Sequence, residues 1–149
     1  MTEPNQVVAR LTNGTVVKGL TRDFFPNRST FHVTPLDQSG PITLRLTQLK
    51  AVFFVRDLIG IPDRLTVKRF DPDFDDPTRG KKVAIRFNDG ELLCGYTLGY
   101  SPKREGFFVV PVDLSDNNLR IFVVAEAVAE IGIGPVAETM IQSEDDRAA

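Results

Sequence analysis

The chain has 149 residues, of which 42% are apolar and 26% are charged, and its formal net charge is −2 at pH 7. This ordinary globular composition excludes a largely disordered chain, and the mild negative charge weakens generic nucleic-acid binding. No apolar run approaches the roughly 20 residues that a membrane helix needs, and the start MTEPNQ does not resemble a signal peptide, so we expect a cytoplasmic protein.

The first predicted unit, residues 6–55, reads as five short strands. It begins with QVVARL and the pair Asn13-Gly14, which is typical of a tight hairpin turn before the returning strand TVVKGLT. A third strand, TFHVTP, ends at a proline, and ITLRL then alternates apolar and polar residues as a fourth strand does. The short connector TQLK precedes a fifth run, AVFFV. This pattern predicts a small, strongly bent barrel.

Residues 56–81 form a predicted linker, because prolines and the acidic run DPDFDDP break any regular element. The run starts like a calcium loop, with aspartates at alternate positions. However, Asp76 stands where that loop needs glycine, and Lys82 stands where it needs a bidentate glutamate. We therefore expect no bound metal.

The second unit, residues 82–131, repeats the first at an offset of 76 residues without a gap. KVAIRF, Asp89-Gly90, ELLCGYT and GFFVVP follow in the order of their counterparts, which indicates an internal duplication. Residues 132–149 complete the chain with a short helix predicted from Pro135 through Gln142 and a frayed acidic tail.

These elements predict an all-β protein made of two tandem five-stranded small barrels related by internal duplication. A strand, an Asn-Gly or Asp-Gly turn, a returning strand with a central glycine and a tight link before the fifth strand resemble Sm-like and SH3-like barrels. LKAVFFVRD (49–57) and GFFVVPVDLSDNN (106–118) further resemble a family of bacterial tandem β-domain proteins of unknown function. This resemblance implies a fold and a bacterial source, and it carries no activity.

Catalytic chemistry has little support in this sequence. The single histidine, His32, is predicted on the outer face of the third strand, and its counterpart in the second unit is Phe108. The single cysteine, Cys94, falls in a strand where a buried, inert thiol is expected. No nucleotide-binding or nucleophile motif is present, so we expect a protein without enzymatic activity or cofactor.

Two ligand-binding alternatives remain open. Binding of RNA in the Sm manner would use Phe24, Phe25 and Arg28 in one loop of the first unit. This unit contains six basic residues and two acidic ones and is therefore positively charged. Binding of cyclic di-GMP in the manner of PilZ domains would use a later turn. The candidate residues for that turn and for the second unit's matching loop are Arg104, Asp113, Ser115 and Asn118.

The PilZ pattern is incomplete in this chain. Asn118 stands where the pattern needs glycine, and no RxxxR segment precedes the turn. An Asp-x-Ser sequence also occurs at Asp37 in the first unit, as a turn stabilised by its own side chains would require.

The strongest functional signal is an apolar outer face on the second unit. It is formed by alternate residues of the third and fourth strands, allowing one residue of slip in the fourth: Phe108, Val110, Phe122 and Val124. The first unit has polar residues at the matching positions, and an exposed patch of this size is unusual in a monomer. We therefore expect the first unit, another copy of the chain or a protein partner to cover it, as in an interaction or adaptor module.

Overall fold

The computed structural model describes residues 4–37, 39–58, 70, 80–112 and 117–148, with side chains described only to residue 143 in the last range. Ten strands and one helix lie within these ranges. Their bounds are β1 Asn5–Leu11, β2 Val16–Thr21, β3 Thr30–Pro35, β4 Ile42–Arg45, β5 Leu49–Val55, β6 Lys81–Phe87, β7 Leu92–Thr97, β8 Gly106–Pro111, β9 Asn118–Val124, β10 Val128–Ile133 and α1 Pro135–Ala148. The prediction of an all-β protein is confirmed, with the helix at the end.

Both five-strand units have the same internal order. The sheet reads β10-β6-β7-β8-β9-β5-β1-β2-β3-β4, so the first and last strands of each unit are neighbours and the others follow as a meander. A 3₁₀ turn precedes the last strand of each unit, at Leu46–Gln48 and Ala125–Ala127. The repeated order supports the duplication read from the sequence. We call β1–β5 the first repeat and β6–β10 the second repeat.

The two repeats join through β5 and β9, which pair antiparallel from Ala51↔Val123 to Val55↔Asn118. This pairing produces one open antiparallel sheet of ten strands. Because β5 takes β9 as its second neighbour, it does not pair with β4 of its own repeat. The two separate barrels expected from the sequence are therefore not confirmed.

The gapless alignment of the two repeats is wrong beyond the third strand. Phe31 pairs with Leu44 in the first repeat, and Phe107 pairs with Val123 in the second. The offset is thus 76 residues from Phe31 to Phe107 and 79 from Leu44 to Val123. The additional residues lengthen the start of β9, where Asn118 and its neighbours pair with β5. The single residue of slip assumed for the fourth strand was too small.

Two hydrophobic cores lie on opposite faces of the joining strands. Val52 and Phe54 of β5 belong to the core of the first repeat, whereas Ala51, Phe53 and Val55 belong to the core of the second. All seven residues of β5 are buried. The strand therefore needs apolar side chains on both faces, which explains the unbroken run AVFFV.

The helix α1 packs against β6 and β10 and covers Cys94. Ala137, Met140 and Ile141 form its buried face. It continues to Ala148, whereas we expected an end near Gln142, because neither glycine nor proline stops it and glutamate, arginine and alanine favour helices. Burial raises the pKa of the Cys94 thiol to about 12, in agreement with an inert thiol.

Most of the predicted linker, residues 59–69 and 71–79, lies outside the described residues, as does the calcium-like run from Asp71 to Asp76.

Candidate functional site: a groove between the repeats

A groove of about 800 Å³ opens where the two repeats meet. One wall is the loop 22–29 of the first repeat, which contributes Pro26 and Asn27, and the other is the loop 98–105 of the second repeat. Strands β8 and β9 form the floor. The loop 22–29 reaches this position because the β5–β9 pairing places the first repeat beside the outer face of β8 and β9.

Five phenylalanines meet below the groove, and we call them the junction cluster: Phe24, Phe31, Phe54, Phe108 and Phe122. The Phe24 ring is edge-on to Phe31 and to Phe122, with centroids 5.0 Å apart in both pairs. Phe108 on β8 is paired with Phe122 on β9, and their ring centroids lie 5.1 Å apart in an edge-to-face arrangement. Edge-to-face pairs of this kind stabilise beyond the area that they bury, so the cluster ties the repeats together.

The predicted apolar face is divided between this cluster and the groove. Phe122 and Val124 are fully buried and pack into the core of the first repeat. Phe108 and Val110 are only half-buried, and both line the groove. The alternating residues Phe107, Val109, Ile121 and Val123 instead fill the core of the second repeat. The first repeat thus buries Phe122 and Val124 completely and leaves Phe108 and Val110 partly exposed.

Arg120 stands at the edge of the groove on two aromatic rings. Its guanidinium carbon lies 4.5 Å from the centroid of Phe54 and 4.6 Å from that of Phe108. Partial burial lowers the pKa of this guanidinium below its ordinary value. Within the described part of the chain, Arg120 forms no ion pair with a carboxylate. Among the described residues, cation–π contacts with Phe54 and Phe108 hold this charge in place.

Two further basic residues, Lys103 and Arg104, line the groove beside one acidic residue, Glu105. With Arg120 they give three positive charges against one negative, a local charge of +2 in a chain whose net charge is −2. Lys103 and Arg104 are both exposed. The groove therefore combines an apolar floor with a basic rim.

The residues predicted for ligand loops do not form a single site. Phe24 is engaged in the junction cluster, whereas Phe25 is exposed with the Arg28 guanidinium 4.6 Å from its centroid. Arg104 lies on the groove rim, and Asn118 begins β9 opposite Val55. Asp113 and Ser115 lie outside the described residues.

The Asp-x-Ser turn of the first repeat is structural. The Ser39 amide donates a hydrogen bond of 2.9 Å to the Asp37 carboxylate, and hydrogen bonds from Ser39 lower the pKa of that carboxyl. This is the self-stabilised turn that the sequence suggested.

His32 lies on the outer face of β3, where it contacts Asp23. The Asp23 carboxylate accepts a bond of 2.9 Å from the His32 amide and lies 2.5 Å from its Nδ1. Burial raises the pKa of Asp23, but the hydrogen bonds from His32 outweigh it and hold that pKa below its ordinary value. The His32 side chain is about half exposed, and Asp23 is partly buried.

A buried lysine joins the repeats at a second point. Lys50 on β5 is 8% exposed, and its Nζ donates to Asp89 at 2.8 Å and to Glu91 at 2.7 Å in the β6–β7 hairpin. The Phe87 ring lies 4.6 Å from the same nitrogen. The hydrogen bond from Lys50 lowers the pKa of Asp89, with burial acting in the opposite direction.

The sequence did not reveal Arg120 or Lys50 as residues of interest. Arg120 lies in the extension of β9 that distinguishes the second repeat, so it has no basic counterpart to draw attention to it. Lys50 interrupts the otherwise apolar run LKAVFFV, and a lone lysine inside a fully buried strand is a signal that could have been used.

No group of three or more histidine, cysteine, aspartate or glutamate residues suited to a metal ion occurs in the ranges that the structure describes. Among the helices in those ranges, none is long and apolar enough to cross a membrane.

Comparison with known proteins gives a family without an assigned role. No curated protein and no solved structure shows a significant match to the chain. The family of unknown function DUF6982 matches residues 3–134, which include both repeats and end just before α1. This match covers well over half of the chain, and the protein therefore belongs to the DUF6982 family.

Proposed function

We propose that this protein is a non-enzymatic interaction module of the bacterial cytoplasm, and that a protein partner inserts an apolar side chain into the groove between the repeats. The observation that carries this proposal is the incomplete cover of the apolar face. Phe108 and Val110 on the groove floor are only partly buried, although Phe122 and Val124 beside them are fully buried.

The energetics favour an occupant of this kind. Burying apolar area contributes about 25 cal/mol per Å², so a partner side chain that covers Phe108 and Val110 would gain affinity from both surfaces. The groove volume of about 800 Å³ falls within the range of pockets that hold small ligands or a few residues of a peptide. Leu98 on the loop 98–105 is 80% exposed and adds an apolar wall that a partner would cover.

The proposal includes the origin of the fold. We infer that each repeat descends from a small barrel of the Sm-like or SH3-like type. The shared strand order and the 3₁₀ turn before the last strand of both repeats support this origin. In this chain β5 pairs with β9, so the two ancestral units now share one sheet.

The alternative is a nucleic-acid or cyclic-dinucleotide binder, and the basic rim of the groove is the observation that favours it. Two features support a protein partner instead. Base stacking needs an open ring face, but Arg120 lies over Phe108 and Phe24 is packed in the junction cluster. A long polyanion would also meet the net negative charge of the rest of the chain. The partner could also be a second copy of this chain, and the experiment must distinguish self-association from binding of a different protein.

The test is a selection from a display library of random dodecapeptides, with Val110→Asp as the variant. We expect the wild-type protein to select peptides with an apolar residue and Val110→Asp to bind them at least about tenfold more weakly. Thr34→Asp is the matched control, because Thr34 is the exposed counterpart of Val110 in the first repeat. Leu98→Glu, at an exposed groove position, should weaken binding without any risk to the fold.

Other outcomes of this test would overturn the proposal. Equal binding by wild type, Val110→Asp and Leu98→Glu would place the peptides elsewhere on the surface. Micromolar binding of short single-stranded RNA or of cyclic di-GMP, lost in Val110→Asp, would establish the alternative. A mass of two or more chains by light scattering that falls in Leu98→Glu would show that another copy occupies the groove.

A further inference from the structure

We propose that the segment recognised by this groove is acidic, and that Arg120 binds a carboxylate which lies one or two residues from the apolar side chain on the groove floor. This inference rests on the proposed function and specifies the chemistry of the partner. It is carried by the position of Arg120, which lines the groove and lies against Phe108 of its floor.

Arg120 is prepared for an anion that the described residues do not supply. Phe54 and Phe108 lie 4.5 and 4.6 Å from the guanidinium, and these contacts remove much of the conformational freedom that an unrestrained arginine would lose on binding. The planar N–H groups of a guanidinium match the two oxygens of a carboxylate. No carboxylate among the described residues pairs with Arg120. Partial desolvation of the cation strengthens its attraction to an incoming carboxylate.

The distances set the spacing of the motif. Arg120 lies against Phe108, which belongs to the floor, so a bound carboxylate and a bound apolar side chain would be close neighbours. An extended peptide advances about 3.3 Å per residue. An acidic residue one or two positions from the apolar residue would therefore reach the guanidinium, and a distant one would not.

The distribution of charge favours a short acidic segment over a long polyanion. Lys103, Arg104 and Arg120 outnumber Glu105 at the groove, whereas the whole chain has a net charge of −2. Because charges are screened beyond about 10 Å in ordinary buffer, a short segment senses mainly the local positive charge. A longer polyanion would extend over the remaining surface and meet its negative residues.

The experiment pairs one protein variant with one peptide variant. From the peptides selected by the wild-type protein, one synthetic peptide is made with its acidic residue and another with the corresponding amide. We expect Arg120→Gln to weaken the acidic peptide about tenfold and the amide peptide less than about twofold, the scale of one charge-assisted pair at a partly exposed site. Affinity for the acidic peptide should fall with salt, and this fall should be smaller in Arg120→Gln.

Arg22→Gln is the matched control, because the variant removes the same charge from the chain. Arg22 is exposed and, although it begins the loop 22–29, only Pro26 and Asn27 of that loop line the groove. Equal losses of both peptides in Arg120→Gln, or selected peptides with apolar residues and no enrichment of acidic ones, would overturn the acidic motif. Both results would leave the groove as a docking site. Failure to select any peptide that depends on Val110 would instead overturn the proposed function, and this inference with it.

Discussion

Single glycines set the two hairpin turns. Gly14 and Gly90 both have a φ angle of +92°, in the left-handed region that costs a residue with a Cβ about 1–2 kcal/mol. A Cβ added at Gly90 would meet no heavy atom within 4 Å, so the backbone alone would bear this cost. We expect Gly90→Ala to lower the free energy of unfolding by about 1 kcal/mol, as measured by urea denaturation.

Gly99→Ala is the control for this substitution. Gly99 also has open space around its Cα, and its backbone is not left-handed, so alanine there should leave stability unchanged or raise it slightly. If Gly90→Ala unfolds at the same urea concentration as wild type, residue 90 does not have a left-handed backbone in solution.

The turns were predictable and the groove was not, for a physical reason. Asn-Gly and Asp-Gly act within a few residues of chain, and the sequence of the turn contains all that is needed to form it. Arg120 is positioned in part by Phe54, which belongs to the other repeat and lies opposite it in the β5–β9 pairing. Because Phe54 and Arg120 are far apart in the sequence, local sequence patterns do not predict this contact.

Local sequence predicts which segments form strands, but it does not predict which strands pair with each other. The run AVFFV and the residues Phe122 and Val124 are predicted in strands from the sequence, and both segments are strands. Closure of β5 on its own repeat or pairing with β9 would satisfy the same backbone hydrogen bonds, so the choice depends on side chains far apart in the sequence. The apolar outer face of β9 favours the second arrangement, because it places Phe122 and Val124 in the core of the first repeat.

The ion pair between Lys50 on β5 and Asp89 in the β6–β7 hairpin predicts that stability depends on pH in acid. The hydrogen bond from Lys50 holds the folded-state pKa of Asp89 below its ordinary value of 3.8, with burial opposing it. The ionised Asp89 carboxylate therefore contributes to the stability of the folded state. This stabilisation is fully present above pH 3.8 and is lost as the pH falls below that value through the folded-state pKa. We expect Asp89→Asn to destabilise the protein less at about pH 2.5 than at about pH 6, as measured by urea denaturation at both pH values.

Lys50→Met provides the control for this acid dependence. Without the ammonium, the main cause of the lowered pKa is removed, and Asp89→Asn in that background should have nearly the same effect at both pH values. A pH-dependent difference that persists in Lys50→Met would show that another group is responsible.

The shared strands make the ten-stranded sheet one cooperative structure. Alternate residues of β5 and β9 contribute to the cores on both sides of the sheet, so neither core is complete without strands from both repeats. Units that share a core in this way open together, whereas independently folded domains open separately. The repeats therefore differ in sequence where they meet, although they keep the same strand order.

Phe122 provides the sharpest test of this coupling. Its ring is 0% exposed and lies 5.0 Å from Phe24 of the first repeat and 5.1 Å from Phe108 of the second. We expect Phe122→Ala to lower the free energy of unfolding by about 3–5 kcal/mol, the cost of a large cavity in a core. Amide hydrogen exchange should accelerate by similar factors in β1 and β6, since both repeats open in one step.

The control is Thr43→Ala. Thr43 is the exposed counterpart of Phe122 in β4, so this substitution should change the free energy of unfolding by less than about 0.5 kcal/mol. Faster exchange confined to one repeat would contradict the shared core and indicate two units that unfold separately.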